Sequence, residues 1–555
     1  MFVRVKATPN SPRRSVQICQ SKRVGKKVSQ TIVRHVGIAM DDKEQEQLVQ
    51  LAHVIRAKLE VEHSEALPLF SPEQIAGQPM RKGPKPGHKG KPIDEVLLRD
   101  CVEQARVVEG IHDVFGALFD ELGFHKIVEG QNADILKSVV LARVANPQSK
   151  HRTAALLEED FAIKLPLDRI YRMMDALYDK RDELQPIVHA ATASLFDEKL
   201  DVCFFDVTTL YFESIQEDDL RGFGYSKDQK FHQGQVVLAL ATTEHGLPVG
   251  YRLFHGATAE ISTLLECVQS WRSRFRLGHV VFVADRGMMS QKNLAALEAA
   301  KCQYIVGASL HKLSAAWKRK VLDAQGYRLG AVESDAVWVK QFELQPGQRL
   351  ITSYSAKRAH KDAKDRERLL KALASRLGKE RKGKLKKLIS NRGYLKYTTH
   401  EGKAVASIHD DKVKSDAQWD GMYGILTNAD SSLEPLEILA RYRRLWTVEE
   451  AFRISKHDLK MRPIFHFKKE RIEAHIAICF LAYALLRHAQ HRVRLRKVHI
   501  SVEVLRNELL RVQASVLRDQ RFKGVYRVPS SMSQLARDIY GAFDLKRSLT
   551  PTALT

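Results

Sequence analysis

A chain of 555 residues with 44% hydrophobic composition has enough apolar material for one large core with satellites, or for roughly three to four ordinary modules, which excludes a peptide-sized adaptor. Its 90 Lys and Arg against 66 Asp and Glu leave a formal charge of +24, a surface suited to a polyanion because each phosphate contact releases counterions; a charge that only keeps the protein soluble is the alternative. Six cysteines (Cys19, Cys101, Cys203, Cys267, Cys302 and Cys479) contain no CxxC pair, which argues against a zinc knuckle and against a disulfide framework.

Residues 1–79 read as a small α+β region and a candidate DNA-end binder. The segments FVRVKA, VQICQS and TIVRHVG alternate loosely around the basic turn SKRVGKK and predict a small antiparallel sheet, followed by a helix over 41–62. The opening MFVRVKATPNSPRR has no apolar h-region, so the expected location is the cytoplasm, in association with the nucleoid. Residues 80–94, with MRKGPKPGHKGKP, read as a basic linker. From 95 to 196 apolar residues recur three and four apart, which predicts a helical DNA-binding module throughout.

At residue 200 the period changes. DVCFFDVTTLYF, GQVVLALAT and PVGYRLF predict three strands, the last two joined by TEHGL as a hairpin. EISTLLECVQSWRSRF then reads as a helix, HVVFVADRG as a strand, QKNLAALEAAKC as a helix and QYIVGAS as a strand. This is the order of a ribonuclease-H-like core, placed at 197–310, although a generic mixed α/β sheet predicts much the same string. Residues 311–430 interrupt the layer as a β-rich insertion, with AVWVKQFEL, RLITSYS and MYGILTNA as strands and AHKDAKDRERLLKALASRLG as a charged helix. Helices of the core resume over 431–490. The apolar run Ile476 to Leu486 has eleven residues, too few to span a bilayer, so a buried helix and no membrane partner are expected. Residues 491–555 read as a basic helical tail. The runs RKGPKPGHKGK, KERKGKLKK and RVRLRK are candidate phosphate tracks, with solvated faces as the equal alternative.

Two carboxylates carry the chemistry. Asp206 follows the apolar run VCFF and Asp285 follows VVFVA, so each is expected just past the end of a buried strand, at the rim of the sheet where function gathers. In a ribonuclease-H-like order those two strands are neighbours. Converging carboxylates with no paired His or Cys favour Mg²⁺, with Mn²⁺ as a substitute, over zinc. Two such ions about 4 Å apart suit in-line attack on a phosphodiester. The structural alternatives are an Asx-type turn at Asp206 and a helix cap at Asp285, the latter weak because the next helix should begin near Ser290.

A third carboxylate is sought in YRRLWTVEEAFRISK, read as one continuous helix over 442–456. At about 100° per residue, Leu445, Val448, Phe452 and Leu459 form the buried stripe, and Tyr442, Trp446, Glu449, Arg453 and Lys456 lie beside it. Glu449 falls roughly 70° from the apolar centre and Glu450 roughly 170°, so Glu449 is the candidate ligand and Glu450 should face solvent. An ion pair with Arg453 is the alternative role for Glu449. Trp446 is a candidate base-stacking residue or a core residue, and Tyr442, Arg453 and Lys456 are candidate phosphate contacts.

FFDVTTLYF, VVFVADRGMMS and YRRLWTVEEAFRISK together resemble the three acidic motifs of bacterial insertion-sequence transposases of the Asp-Asp-Glu type, in the group with a Tyr-Arg-Glu-Lys signature. The resemblance implies Asp206, Asp285 and Glu449 as metal ligands, and Tyr442 and Lys456 near the transposon-end backbone. It also matches Asp285-Arg286-Gly287 to the family's second motif, which brings Arg286 in as a DNA contact. The signature Arg falls on Leu445, a departure for which Arg443 or Arg444 is the candidate substitute.

The implied activity is that of a DNA transposase, binding terminal inverted repeats, cleaving with divalent metal and transferring strands to target DNA, with a homodimer expected on double-stranded DNA. A ribonuclease-H-like nuclease or resolvase without strand transfer is one alternative. A non-catalytic DNA-binding protein from a degenerate element is the other.

Overall fold

A computed structural model describes residues 1–7, 14–24, 27–62, 96–196, 202–212, 217–223, 233–258, 260–275, 281–285, 290–378, 396–401, 404–521 and 523–554. The expected linker at 80–94 and the basic run KERKGKLKK lie outside the described residues. The chain forms two compact units, one of residues 1–117, 155–164 and 492–555, the other of 118–154 and 165–491.

In the first unit, β1 (Phe2–Ala7), β2 (Arg14–Val24) and β3 (Lys27–Ala39) form the expected antiparallel sheet. Val16 and Ile18 of β2 are fully buried with Ala52 of the Asp42–Glu62 helix, and Leu48 and Ile55 pack on the same cluster. The helix expected from residue 95 is replaced at its start by β4 (Cys101–Val108).

The second unit is built on a mixed sheet. The strands β5 (Val202–Tyr211), β6 (Gln235–Thr242) and β7 (Pro248–His255) run as an antiparallel meander, with the β6–β7 hairpin turning at Gly246, whose φ of +73° suits glycine. The Glu260–Phe275 helix leads to β8 (Val281–Ala284), which lies parallel to β5, and the Gln291–Ala299 helix leads to β9 (Gln303–Ala308), parallel to β8. The expected adjacency of the first and fourth strands is therefore observed.

The insertion does not interrupt this layer as expected. Its strands β10 (Arg328–Val332), β11 (Asp335–Gln345) and β12 (Gln348–Tyr354) extend the sheet. After the Ala356–Gly378 helix, the small ladder of β13 (Thr398–Glu401) and β14 (Ala404–Ile408) and the Asp410–Ala417 helix, the chain returns as β15 (Met422–Thr427). The sheet order is β10-β11-β12-β15-β9-β8-β5-β6-β7. The physical reason is the edge of β9, whose free backbone groups β15 pairs antiparallel, from Gly424↔Ala308 to Thr427↔Ile305.

Alternation divides the two faces of the sheet. Cys203, Phe205 and Val207 of β5 and Phe282 and Ala284 of β8 point to one face, buried with Leu264, Cys267, Trp271 and Leu297 of the two crossover helices. The opposite face receives the helices Pro435–Arg443, Trp446–Arg453 and Lys469–Leu495. The last has 27 residues and is long and apolar enough to cross a membrane by composition, yet 94% of its most apolar window is buried inside the fold. It is the buried helix expected around Ile476 to Leu486.

The expected helical tail is only partly helical. The Val502–Leu510 and Gln534–Ala542 helices alternate with β16 (Gln513–Asp519), β17 (Val525–Pro529) and β18 (Thr552–Ala553). β16 pairs with β4 on one side and β17 on the other, so the two departures from helix expectation are halves of one sheet. Pairing 405 residues apart in sequence, as in Val108↔Gln513, overrides a local pattern that reads as helix.

A buried cationic cluster holds the chain that follows the catalytic-helix candidate. Arg143 donates to the Leu459 carbonyl at 3.4 Å and to the Gln148 carbonyl at 2.7 Å. His475 Nε2 lies 3.1 Å from the Met461 carbonyl and must donate there, which leaves Nδ1 to accept from Lys150 Nζ at 3.2 Å. Burial, together with the Lys150 and Arg143 cations, pushes His466 down to about 3 from 6.5 and lowers His475 well below 6.5.

Both histidines are neutral in the fold, so below pH 6.5 the unfolded chain binds more protons than the folded one. Stability that is complete above 6.5 is lost progressively toward pH 3, by up to about 1.4 kcal/mol per pH unit and group. Melting temperature is expected to fall between pH 7 and 5, and to fall less steeply in His466→Gln. An unchanged pH slope in that variant would remove His466 from the effect.

Candidate active site

Asp206 and Asp285 stand side by side. β5 and β8 are in parallel register from Val202↔Val281 to Phe205↔Ala284, so each aspartate is the next residue beyond the last registered pair. Neighbouring strands lie about 4.8 Å apart. Alternation turns both carboxylates away from the face of Phe205 and Ala284, toward the face that carries the Trp446–Arg453 helix.

Asp206 does not end its strand as expected. β5 continues to Tyr211, and Asp206 is paired in register with Leu240 of β6, with its Oδ1 accepting the Val207 amide at 2.8 Å. The apolar run VCFF stops at Asp206 while the backbone ladder continues through it. Asp285 is exposed and follows the last residue of β8. The cap alternative does not hold for it, because Ser290 caps the next helix, accepting from the Asn293 amide at 3.1 Å.

The segment 442–456 is not one continuous helix. Tyr442 lies in the last turn of the Pro435–Arg443 helix, Leu445 caps the start of the Trp446–Arg453 helix, and Ile454–Asp458 winds on as a π-turn. Buried residues of the middle helix are Thr447, Val448, Ala451 and Phe452. The expected stripe of Leu445, Val448, Phe452 and Leu459 is buried, and the small side chains at Thr447 and Ala451 widen the buried face on its other side. As a result both glutamates flank that face.

Glu449 is exposed, and no hydrogen bond or ion pair engages its carboxylate among the described residues, so the alternative pair with Arg453 is absent. Glu450 is the one that does not face solvent as expected. Its Oε2 accepts from Arg487 Nη1 at 2.9 Å, where the Arg487 side chain is 2% exposed. Arg487 also donates to the carbonyls of His245 at 2.7 Å and Gly246 at 3.2 Å, tying the Trp446–Arg453 helix to the β6–β7 turn.

Tyr442 is turned inward. Its hydroxyl donates to Asp285 Oδ1 at 3.4 Å and receives a hydrogen bond from Tyr423 at 2.7 Å. Burial, with Tyr423 and Asp285 beside it, raises its pKa far above 10, so it stays a proton donor to the carboxylate. Tyr423 in turn lies under the Arg358 guanidinium, 4.7 Å from ring to carbon. Tyr423 and Arg358 were missed by sequence reasoning because they sit in the insertion, where no spacing links them to an acidic motif. A cleft of about 400 Å³ shares these two residues, with Trp419 and Tyr397, but none of the three carboxylates lines it.

Lys456 reaches the other aspartate's strand, where its Nζ bonds the Thr208 hydroxyl two residues beyond Asp206. Trp446 is 50% exposed, which places it at the surface and not in the core. The arginines are engaged: Arg443 with Asp335 at 3.5 Å, Arg444 with Glu244, and Arg453 with Asp458 at 3.2 Å. Leu445 is buried at 7% exposure, so the signature position holds a packing residue. Arg286 lies outside the described residues.

Adjacent aspartates offer hard oxygen donors and fit a divalent cation. Among the described residues no three His, Cys, Asp or Glu side chains come close enough to hold a metal ion together, so Glu449 does not share one coordination sphere with the pair in this arrangement.

Residues 197–485, more than half of the chain, match the family described as Transposase DDE domain. Among solved structures the chain is similar to a piggyBac transposase synaptic complex with hairpin DNA, at 9% identity and a TM-score of 0.36, over 72% of this chain and 77% of that one. A pre-cleavage Mos1 transpososome is similar at 12% identity and a TM-score of 0.14, over 51% and 80%. Likenesses this distant decide nothing about fold or function. No curated protein matches the chain.

Proposed function

This chain belongs to the Transposase DDE domain family, and on that premise we propose a DNA transposase that binds the terminal inverted repeats of its element, cleaves DNA at those ends and joins the freed strand to target DNA. The observation that carries the reading is the register of β5 and β8, which sets Asp206 beside Asp285 on the face that receives the Glu449 helix. The strand order β7-β6-β5-β8-β9 within the larger sheet supports a ribonuclease-H-like core.

Asp206 and Asp285 would hold Mg²⁺, or Mn²⁺ in its place, which would supply neutralisation of phosphodiester charge and activation of the attacking hydroxyl, with Glu449 on the facing helix as the third carboxylate that the resemblance implies. The chain's own residues set that site. Tyr442 orients Asp285 by donating to it, and Lys456 brings a cation beside the Asp206 strand through Thr208. Trp446 stands exposed one turn before Glu449, available to a base. The net charge of +24 favours duplex DNA as partner, and coordinated cutting of two ends implies a homodimer on DNA.

The test incubates the purified chain with terminal-repeat DNA, a target plasmid and Mg²⁺, and follows cleavage and joined products on sequencing gels. Cleavage together with strand transfer is expected. Cleavage alone would reduce the reading to a nuclease, and binding without either product would overturn it.

A further inference from the structure

Beyond the site, one stretch of chain displays apolar rings that an ordered segment ordinarily hides. Phe465 is 54% exposed and Phe467 64% exposed, while His466 between them is buried. Alternation of this kind puts both phenyl rings on one side of an extended segment. It is held from behind, since His466 packs between Tyr171, with ring centroids 6.3 Å apart, and His475 at 5.4 Å.

The segment is also fixed relative to the carboxylates. Ile464 bridges in parallel to Phe212 at the end of the Asp206 strand, and its amide donates to the Tyr211 carbonyl at 3.3 Å. Phe467 rests against Arg221, whose guanidinium carbon is 5.9 Å from its ring and 5.5 Å from that of Phe212; Arg221 is itself paired with Asp218 at 2.7 Å. The flanks are cationic. Lys460, Lys468 and Lys469 are exposed, and Arg462 lies over the Tyr211 ring at 5.3 Å.

Two exposed rings with Lys460, Lys468 and Lys469 around them, against the single exposed Glu470, match the chemistry of unpaired nucleobases, which stack on aromatic faces while their phosphates meet the cations. Paired bases in a duplex offer no such faces along their length. The exposed lysines around the rings argue for nucleic acid as the occupant over a second copy of the chain. We propose that Phe465 and Phe467 form a stacking platform for single-stranded DNA at the far end of the Asp206 strand, roughly 20 Å along it from that carboxylate. The inference rests on the transposase reading and adds to it a binding surface for strands that separate at a cut end.

The test measures fluorescence anisotropy of the full chain with a labelled oligothymidylate and with a labelled duplex of equal length. Phe465→Leu and Phe467→Leu keep the apolar character and remove the ring; each is expected to weaken single-strand binding about tenfold, and Phe467→Trp to preserve it. Duplex affinity should stay within about twofold in all variants. Equal single-strand affinity in the leucine variants overturns the platform, as does a parallel loss on duplex. A change of sedimentation coefficient in those variants, with DNA binding intact, assigns the rings to contact between copies and also overturns it. If the wild-type chain binds duplex ends while single-strand affinity ignores both rings, only this inference fails. Absence of binding to either DNA overturns both readings.

Discussion

Asp206→Asn and Asp285→Asn are each expected to lower DNA cleavage by on the order of 10³-fold, which corresponds to about 4 kcal/mol of lost transition-state stabilisation. Binding to terminal-repeat DNA should be retained. The substitutions remove a charge and keep the shape, so two hydrogen bonds keep their acceptor: a side-chain carbonyl at 206 still accepts from Val207, as the carboxylate of Asp206 does at 2.8 Å, and a carbonyl at 285 still accepts from Tyr442. Melting temperature is therefore expected to stay close to that of the parent, which separates lost chemistry from lost fold. Single-turnover cleavage with pre-bound DNA checks it. A variant that cuts at the parental rate would take its residue out of the site. Tyr442→Phe removes the donor to Asp285 while keeping the ring against Tyr423, and a smaller loss of about tenfold is expected from it.

Much of the second unit was legible in the sequence because its strands are buried on both faces and read as uninterrupted apolar runs, with helices at the right spacing between them. VVLALA and VFVA leave little room for another assignment. The register between β5 and β8 follows from that order, and with it the adjacency of Asp206 and Asp285. β4 and β16 were not legible, because CVEQARVV carries charges at helical spacing, including the Glu103–Arg106 pair three residues apart, and its partner lies at the other end of the chain. The insertion's membership in the central sheet was hidden for the same reason: it depends on which edge MYGILT pairs with, and pairing partners leave no mark on local periodicity.

The helix that carries the third carboxylate failed differently. A constant angle per residue holds only while the helix is continuous, and here it breaks at Leu445 and widens into a π-turn at Ile454. Angles carried across either point accumulate error: Tyr442, expected beside the buried stripe, is itself buried, while Leu445, Val448, Phe452 and Leu459 are buried as expected. Glu449 and Trp446 both lie within the unbroken stretch, and both are exposed. Glu450 did not keep its expected place, because nothing local announces that an arginine 37 residues later is buried and short of an acceptor.

That difference predicts opposite outcomes for two neighbouring glutamates. Glu449→Gln is expected to abolish cleavage with almost no change in melting temperature, since its carboxylate makes no contact among the described residues that folding would lose. Glu450→Ala and Arg487→Ala break a pair in which the Arg487 side chain is 2% exposed and the Glu450 side chain 22%. Removing one partner of a buried pair leaves the other desolvated without its counter-charge, at about 3 kcal/mol or more. In a unit of this size such a loss lowers the melting temperature by roughly 3–4 °C. Glu450→Ala is the milder of the two, because Arg487 keeps the carbonyls of His245 and Gly246 and the Gln490 side-chain oxygen, whereas Arg487→Ala also frees the β6–β7 turn. Any cleavage lost in Glu450→Ala should return when the assay is run at lower temperature, and that lost in Glu449→Gln should not. Thermal melts and cleavage rates at two temperatures decide the matter. If Glu450→Ala melted like the parent and failed to cleave at either temperature, the roles assigned to the two residues would have to be exchanged.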